Sequence, residues 1–142
     1  MNSSVLFLFE KAGPTAQTIP IVSFDGDNGA AMHARQFRTE ARIPREWTVV
    51  WNLMPWWDGR RKYTAADRQA GLDELPTLFK LLPKLRVVVL VGAQAAKAKA
   101  AVEALGFAVI TSAHTSMLCR IGSPELFRAI PGEWAKVNRF VG

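Results

Sequence analysis

Four short, nearly continuous apolar runs separated by helix-like stretches constrain the fold most. They are Ser4–Phe9 (SVLFLF), Trp47–Leu53 (WTVVWNL), Leu85–Val91 (LRVVVLV) and Phe107–Thr111 (FAVIT). Each is rich in β-branched or aromatic residues, and none alternates cleanly between apolar and polar. A strand with one wet face alternates, whereas a strand covered on both faces does not. The runs therefore predict parallel strands buried between helices.

The intervening segments supply the helices. Thr64 to Leu82 is the strongest. Thr64-Ala65-Ala66-Asp67 has the spacing of a capping box, and Leu72, Leu75, Phe79 and Leu82 fall on one face. Ala93 to Leu105 is alanine-rich, and Gly106 follows as its C-cap. Ser123-Pro124 reads as an N-cap followed by proline at the first helical position. Ala30 to Ala41 carries a weaker helical pattern, and Gly13 to Asn28 has no periodicity. A long aperiodic stretch within a domain is usually functional or mobile. The β-α-β-α-β-α-β-α alternation predicts a three-layer α/β/α sandwich with a central four-stranded parallel sheet and right-handed crossovers. At 142 residues, without an internal repeat or low-complexity linker, the expectation is a single domain spanning 1–142.

In such sheets ligands gather beyond the carboxyl ends of the strands. Those ends carry Glu10-Lys11-Ala12-Gly13-Pro14, Asn52-Leu53-Met54-Pro55-Trp56-Trp57, Gly92-Ala93 and His114-Thr115-Ser116. Glu10, Asn52 and His114 are therefore expected on one rim, although sequence separates them widely.

Composition bounds the chemistry. The one cysteine, Cys119, excludes an internal disulfide, an all-cysteine zinc site and an iron–sulfur cluster, and reads as an inert thiol. The histidines, His33 and His114, have no metal-ligand spacing, and no Walker, GxGxxG or GxSxG pattern occurs. Neither a metal nor a cofactor is expected. His33 is assigned no role. No apolar run approaches the roughly 20 residues of a membrane helix. Val5–Phe9 is too short for a signal-peptide core and lacks a basic flank, so the expectation is a cytoplasmic protein with no membrane partner. The formal charge of +6 suits a polyanionic partner without proving one.

Four motifs, LFEKAGP, WTVVWNLMPWW, LPKLRVVVLVG and SAHTS, stand in this order along nearly the whole chain. In sequence and spacing they resemble the uracil-DNA glycosylase superfamily, most closely its small bacterial members without an iron–sulfur cluster. The resemblance implies a parallel four-stranded sheet between helices. It also implies a monofunctional base-excision-repair enzyme that flips a nucleotide out of DNA and hydrolyses the N-glycosidic bond of uracil or a related damaged base, with no cofactor. The expected partner is DNA containing such a base, bound by a monomer inside a bacterial cell.

Carried over by motif, Asn52 matches the asparagine that reads the uracil edge, and His114 matches the histidine beside the leaving base. Glu10 and Lys11 fall in the first motif, where other branches position or activate water. A lysine there acts electrostatically, on phosphate. Ala12, Gly13 and Pro14 complete that motif and line the pocket, Gly13 allowing close backbone approach. Phe24, in SFDGDNGAA, is the candidate for stacking on the base. Ser116, Met117, Leu118, Arg120, Trp56, Trp57, Arg60 and Arg61 are candidates for DNA contact, with Met117 and Leu118 as apolar wedges. Ala12 and Thr115 stand where the family usually has proline. Two other readings remain open at this level. One is a family member that binds damaged or single-stranded nucleic acid without efficient catalysis. The other is an unrelated α/β domain using the same rim for a nucleotide or another small molecule.

Overall fold

The computed structural model describes residues 3–11, 29–54, 64–115 and 117–141. Its centre is a four-stranded sheet in the order β2-β1-β3-β4, formed by β1 (Val5–Lys11), β2 (Thr48–Met54), β3 (Val87–Val91) and β4 (Ala108–Ser112). All three pairings are parallel. Val5 stands opposite Thr48 and Val87, and Val87 stands opposite Ala108. The helices are α1 (Gly29–Glu40), α2 (Ala65–Lys80), α3 (Lys99–Ala104), α4 (Met117–Gly122), α5 (Pro124–Arg128) and α6 (Ile130–Ala135).

The missing alternation in the apolar runs has the expected cause. Successive side chains of a strand point to opposite faces, and here both faces are covered. Val5, Phe7, Val87, Val89 and Ile110 pack with Phe37 of α1, Phe127 of α5 and Trp134 of α6. Leu6, Leu8, Val88 and Leu90 pack with Leu75 and Phe79 of α2 and Val102 of α3. The four-stranded α/β architecture is as predicted, while β1, β2 and β4 run past their predicted ends and β3 starts two residues late but ends at Val91 as predicted. β1 runs through Lys11 and β2 through Met54. Glu10 and Lys11 are thus the last two residues of β1 rather than the first two beyond a strand ending at Phe9.

The helix starting after Thr64 forms with both capping-box bonds. The Asp67 amide donates to Thr64 Oγ1 at 3.2 Å, and the Thr64 amide donates to Asp67 Oδ2 at 2.9 Å. α2 also carries Pro76 within it, which removes one helical donor and costs roughly 3 kcal/mol. Leu75 and Phe79 are buried on either side, each contributing about 1.5–3 kcal/mol of transfer, which offsets that cost. Gly71 faces β2 so closely that a Cβ there would run into the Leu53 carbonyl oxygen.

Two helical expectations need correction. Ala93 to Leu105 is not one α-helix: a 3-10 segment, Ala95–Ala98, precedes the six residues of α3. The alanines permit both forms. The 3-10 geometry tucks Ala95 and Ala98 against the sheet, where both are fully buried. Ser123 precedes Pro124 at the first turn of α5, as the sequence implies, but its side chain makes no capping bond. The chain beyond β4 breaks into three short helices, and Phe127, Ile130 and Trp134 from the last two reach the core.

Candidate active site at the carboxyl ends of the strands

The strand order creates a switch point. From β1 the chain crosses to β2 on one side, then passes back over β1 to β3 on the other. Connections therefore leave β1 and β3 in opposite directions, and the crevice between their carboxyl ends is where open parallel sheets bind ligands. Phe9 stands at that end of β1, and Gly92 follows β3 directly.

Asn52 is opposite Phe9 in the β1–β2 register. Paired residues on adjacent parallel strands project to the same face, roughly 5 Å apart. Asn52 is only 5% exposed, one of four buried polar residues among those described. His114 comes from the other side. It follows β4 by two residues, and its half-buried ring meets that of Phe9 edge-on, with centroids 5.5 Å apart and planes at 81°. The ring also lies over Gly92, where a Cβ would touch His114 Cδ2 at 3.4 Å. That is ordinary van der Waals contact, so space does not demand glycine there. The backbone does, since Gly92 has φ +99°. Asn52, by strand register, and His114, by ring contact, are thus both neighbours of Phe9 at the switch point.

Both ends of the His114 segment are tied to the wall behind it. Before His114, the fully buried Trp134 donates from Nε1 to Ser112 Oγ at 2.9 Å, and Ser112 Oγ donates to the Ala113 carbonyl at 3.0 Å. After it, His33 Nδ1 lies 2.9 Å from the carbonyl oxygen of Thr115, itself fully buried. His33, to which the sequence assigns no role, thus contacts the backbone directly after His114. The sequence offers little sign of this contact, because 82 positions separate the partners. Phe9 was hidden for a different reason: it reads as an ordinary part of a strand.

Beyond the tether lies an open cleft of about 380 Å³ between α1, α4 and α5. Arg120 and Arg128 line it together with Gln36, and Phe37 and Phe127 contribute aromatic surface. Arg120 and Arg128 are both exposed. Met117 and Leu118 open α4, immediately past the His114 segment. Glu10 and Lys11 are placed by their backbone at the end of β1. Ala12, Gly13, Pro14, Phe24, Trp56, Trp57, Arg60, Arg61 and Ser116 lie outside the described residues. Among the described residues no group of three or more His, Cys, Asp or Glu side chains is placed to hold a metal ion, and no helix is long and apolar enough to cross a membrane.

No protein-family model matches the chain, and no curated protein sequence does. Solved structures do match. One is the solution NMR structure of a protein from Methanosarcina acetivorans, provisionally named a uracil DNA glycosylase, with a TM-score of 0.61 and 12% identity. The alignment covers 96% of this chain and 92% of that one. At this identity the likeness establishes a shared fold: a four-stranded parallel α/β sheet flanked by helices.

Proposed function

We propose that the chain is a monofunctional DNA glycosylase acting as a monomer on uracil, or a related damaged base, in DNA. One adjacency carries the reading. Asn52 and His114, the two residues suited to reading and releasing a pyrimidine, both neighbour Phe9 at the switch point, one by strand register and one by ring contact. The shared fold with a protein provisionally named a uracil DNA glycosylase supports it.

The chemistry follows from the groups. Uracil presents a carbonyl acceptor and an N–H donor on its pairing edge. The Asn52 amide offers a donor and an acceptor to match, and a buried amide requires such partners. Cytosine turns an amino group toward the amide donor and is excluded. The C1′–N1 bond breaks, and its electron pair leaves with the base. A donor N–H from His114 at O2 stabilises the charge as it develops, which acts on the transition state more than on the ground state. Water adds to the cation-like C1′, forming the C1′–O bond, and its proton passes through solvent to the departing uracil anion, leaving neutral uracil and a C1′ hydroxyl. Glu10 is assigned to orient that water or to favour the sugar cation, and Lys11 to contact phosphate. Reaching the base requires extruding it from the stack. Met117 and Leu118 are assigned to fill the gap, and Arg120 to the backbone of the same strand.

The test is base release from labelled oligonucleotides carrying one uracil, single-stranded or opposite G or A, with wild type, Asn52→Ala and His114→Ala compared. Release by wild type that collapses in both variants supports the assignment. No release from folded protein at stoichiometric enzyme overturns the uracil reading.

A further inference from the structure

The wall behind His114 contains a polar contact that base reading and base release do not use. His33 of α1 is buried among aromatic rings. It stacks on Phe37 with centroids 6.2 Å apart and planes at 19°, and meets Phe127 edge-on at 5.1 Å and 83°. A ring needed only for packing would be served by phenylalanine. This one places Nδ1 2.9 Å from the Thr115 carbonyl oxygen, 82 positions away in sequence. A carbonyl only accepts, so Nδ1 carries the hydrogen.

We propose that His33 is a positioning residue for His114: its Nδ1–H holds the Thr115 carbonyl and fixes the far end of the His114 segment, as Trp134 fixes the near end through Ser112. The proposal rests on the glycosylase reading for its consequence, though not for its geometry. Only Ala113 and His114 stand between the two anchored residues. Both anchoring side chains belong to one aromatic cluster, since Phe37 meets His33 on one side and Trp134 on the other. Two fixed points on one rigid wall leave the intervening backbone few conformations. The His114 ring is then held against Phe9 before any substrate arrives. Such preorganisation matters because a misplacement of about 1 Å at the reacting centre can cost on the order of 10²-fold in rate.

The test uses the whole chain with His33→Phe, which keeps a ring but loses the donor, and His33→Asn, whose amide nitrogen falls near the position of Nδ1. Each variant is followed by thermal melting, by affinity for uracil-containing DNA, by single-turnover base release and by ring NMR signals of ¹⁵N-histidine-labelled protein. In wild type the His33 ring shows a hydrogen-bonded Nδ1–H. With DNA at saturating concentration, His33→Phe is expected to lose base release by on the order of 10²-fold and to broaden or shift the His114 ring signals. His33→Asn recovers most of the release. Equal loss in both variants would mean that ring packing alone matters and would overturn the proposal, as would undiminished release in His33→Phe. If wild type releases no base, the glycosylase reading fails by itself. The tether is still decided by the spectra, and unchanged His114 signals in His33→Phe sink it. Should neither variant fold, the wild-type His33 signals decide: an Nε2–H form without the Nδ1 hydrogen removes the proposed bond.

Discussion

The His114 ring stands edge-on to Phe9, centroids 5.5 Å apart and planes at 81°, while Phe9 is paired in register with Asn52. Phe9 therefore neighbours both residues assigned to the reaction, Asn52 by register and His114 by ring contact. An edge-to-face aromatic pair contributes about 0.5–1.5 kcal/mol beyond its burial. Phe9→Leu keeps an apolar side chain in the strand and removes that contact. Base release in Phe9→Leu should fall by roughly tenfold, with KM little changed, if the contact stabilises the transition state alone. A rise in KM at constant kcat would show that Phe9 serves binding instead.

The architecture was legible in the sequence, and the reasons are local. β3 is buried on both faces along its whole length, so VVVLV could not alternate. Thr64 and Asp67 lie three residues apart and close their capping box without outside help. The rim position of Asn52 and His114 was also accessible, because parallel topology alone carries strand ends to one edge. The supporting contacts were not. The His33–Thr115 bond depends on how α1 lies against the chain after β4, and the Phe9–His114 contact depends on the turn at Gly92. Neither relation has a spacing that a sequence displays. Arg128 escaped notice for the same reason: only the packing of α4 and α5 brings it to the cleft that Arg120 lines.

Gly71 and Gly132 make a paired prediction about stability. A methyl group at Gly71 would collide with the Leu53 carbonyl, and backbone yields less readily than a flexible side chain. Gly71→Ala must push α2 away from β2 and should cost about 1–3 kcal/mol. Gly132, within α6, has nothing within 4 Å of an added Cβ. Gly132→Ala should be neutral or stabilising by up to about 1 kcal/mol. Urea denaturation midpoints measure both. Equal effects of the two changes would mean that α2 is not seated against Leu53. Since Leu53 follows Asn52 directly, Gly71→Ala should also blunt the discrimination between uracil and cytosine.

The cleft lined by Arg120 and Arg128 predicts a salt signature. Each phosphate neutralised releases counterions, so the slope of log affinity against log salt counts contacts, at about 0.7 per phosphate for single strands. Arg120→Ala and Arg128→Ala should each flatten the slope by roughly that amount, and weaken binding to all sequences alike. Uracil-containing and uracil-free strands should lose affinity in parallel. A loss confined to the uracil strand would place these arginines in base recognition, and an unchanged slope would remove them from the DNA path.

Trp134 and Ser112 offer the most direct test of whether the near anchor of the His114 segment matters. Trp134 is fully buried, meets Phe7 edge-on at 4.6 Å and donates to Ser112 Oγ at 2.9 Å. Trp134→Phe loses the donor and also leaves unfilled volume, whereas Ser112→Ala loses the acceptor and the bond from Ser112 Oγ to the Ala113 carbonyl but little volume. Trp134→Phe should therefore be the more destabilising, by about 2 kcal/mol or more against about 1 kcal/mol for Ser112→Ala. The double variant isolates the bond. If the hydrogen bond is the shared element, the two costs will not add, and a coupling of about 0.5–1.5 kcal/mol remains. The same cycle in single-turnover base release separates stability from positioning. A coupling in rate that matches the coupling in stability would mean the anchor only holds the fold together. A larger coupling in rate would mean that fixing the end of β4 helps to aim His114.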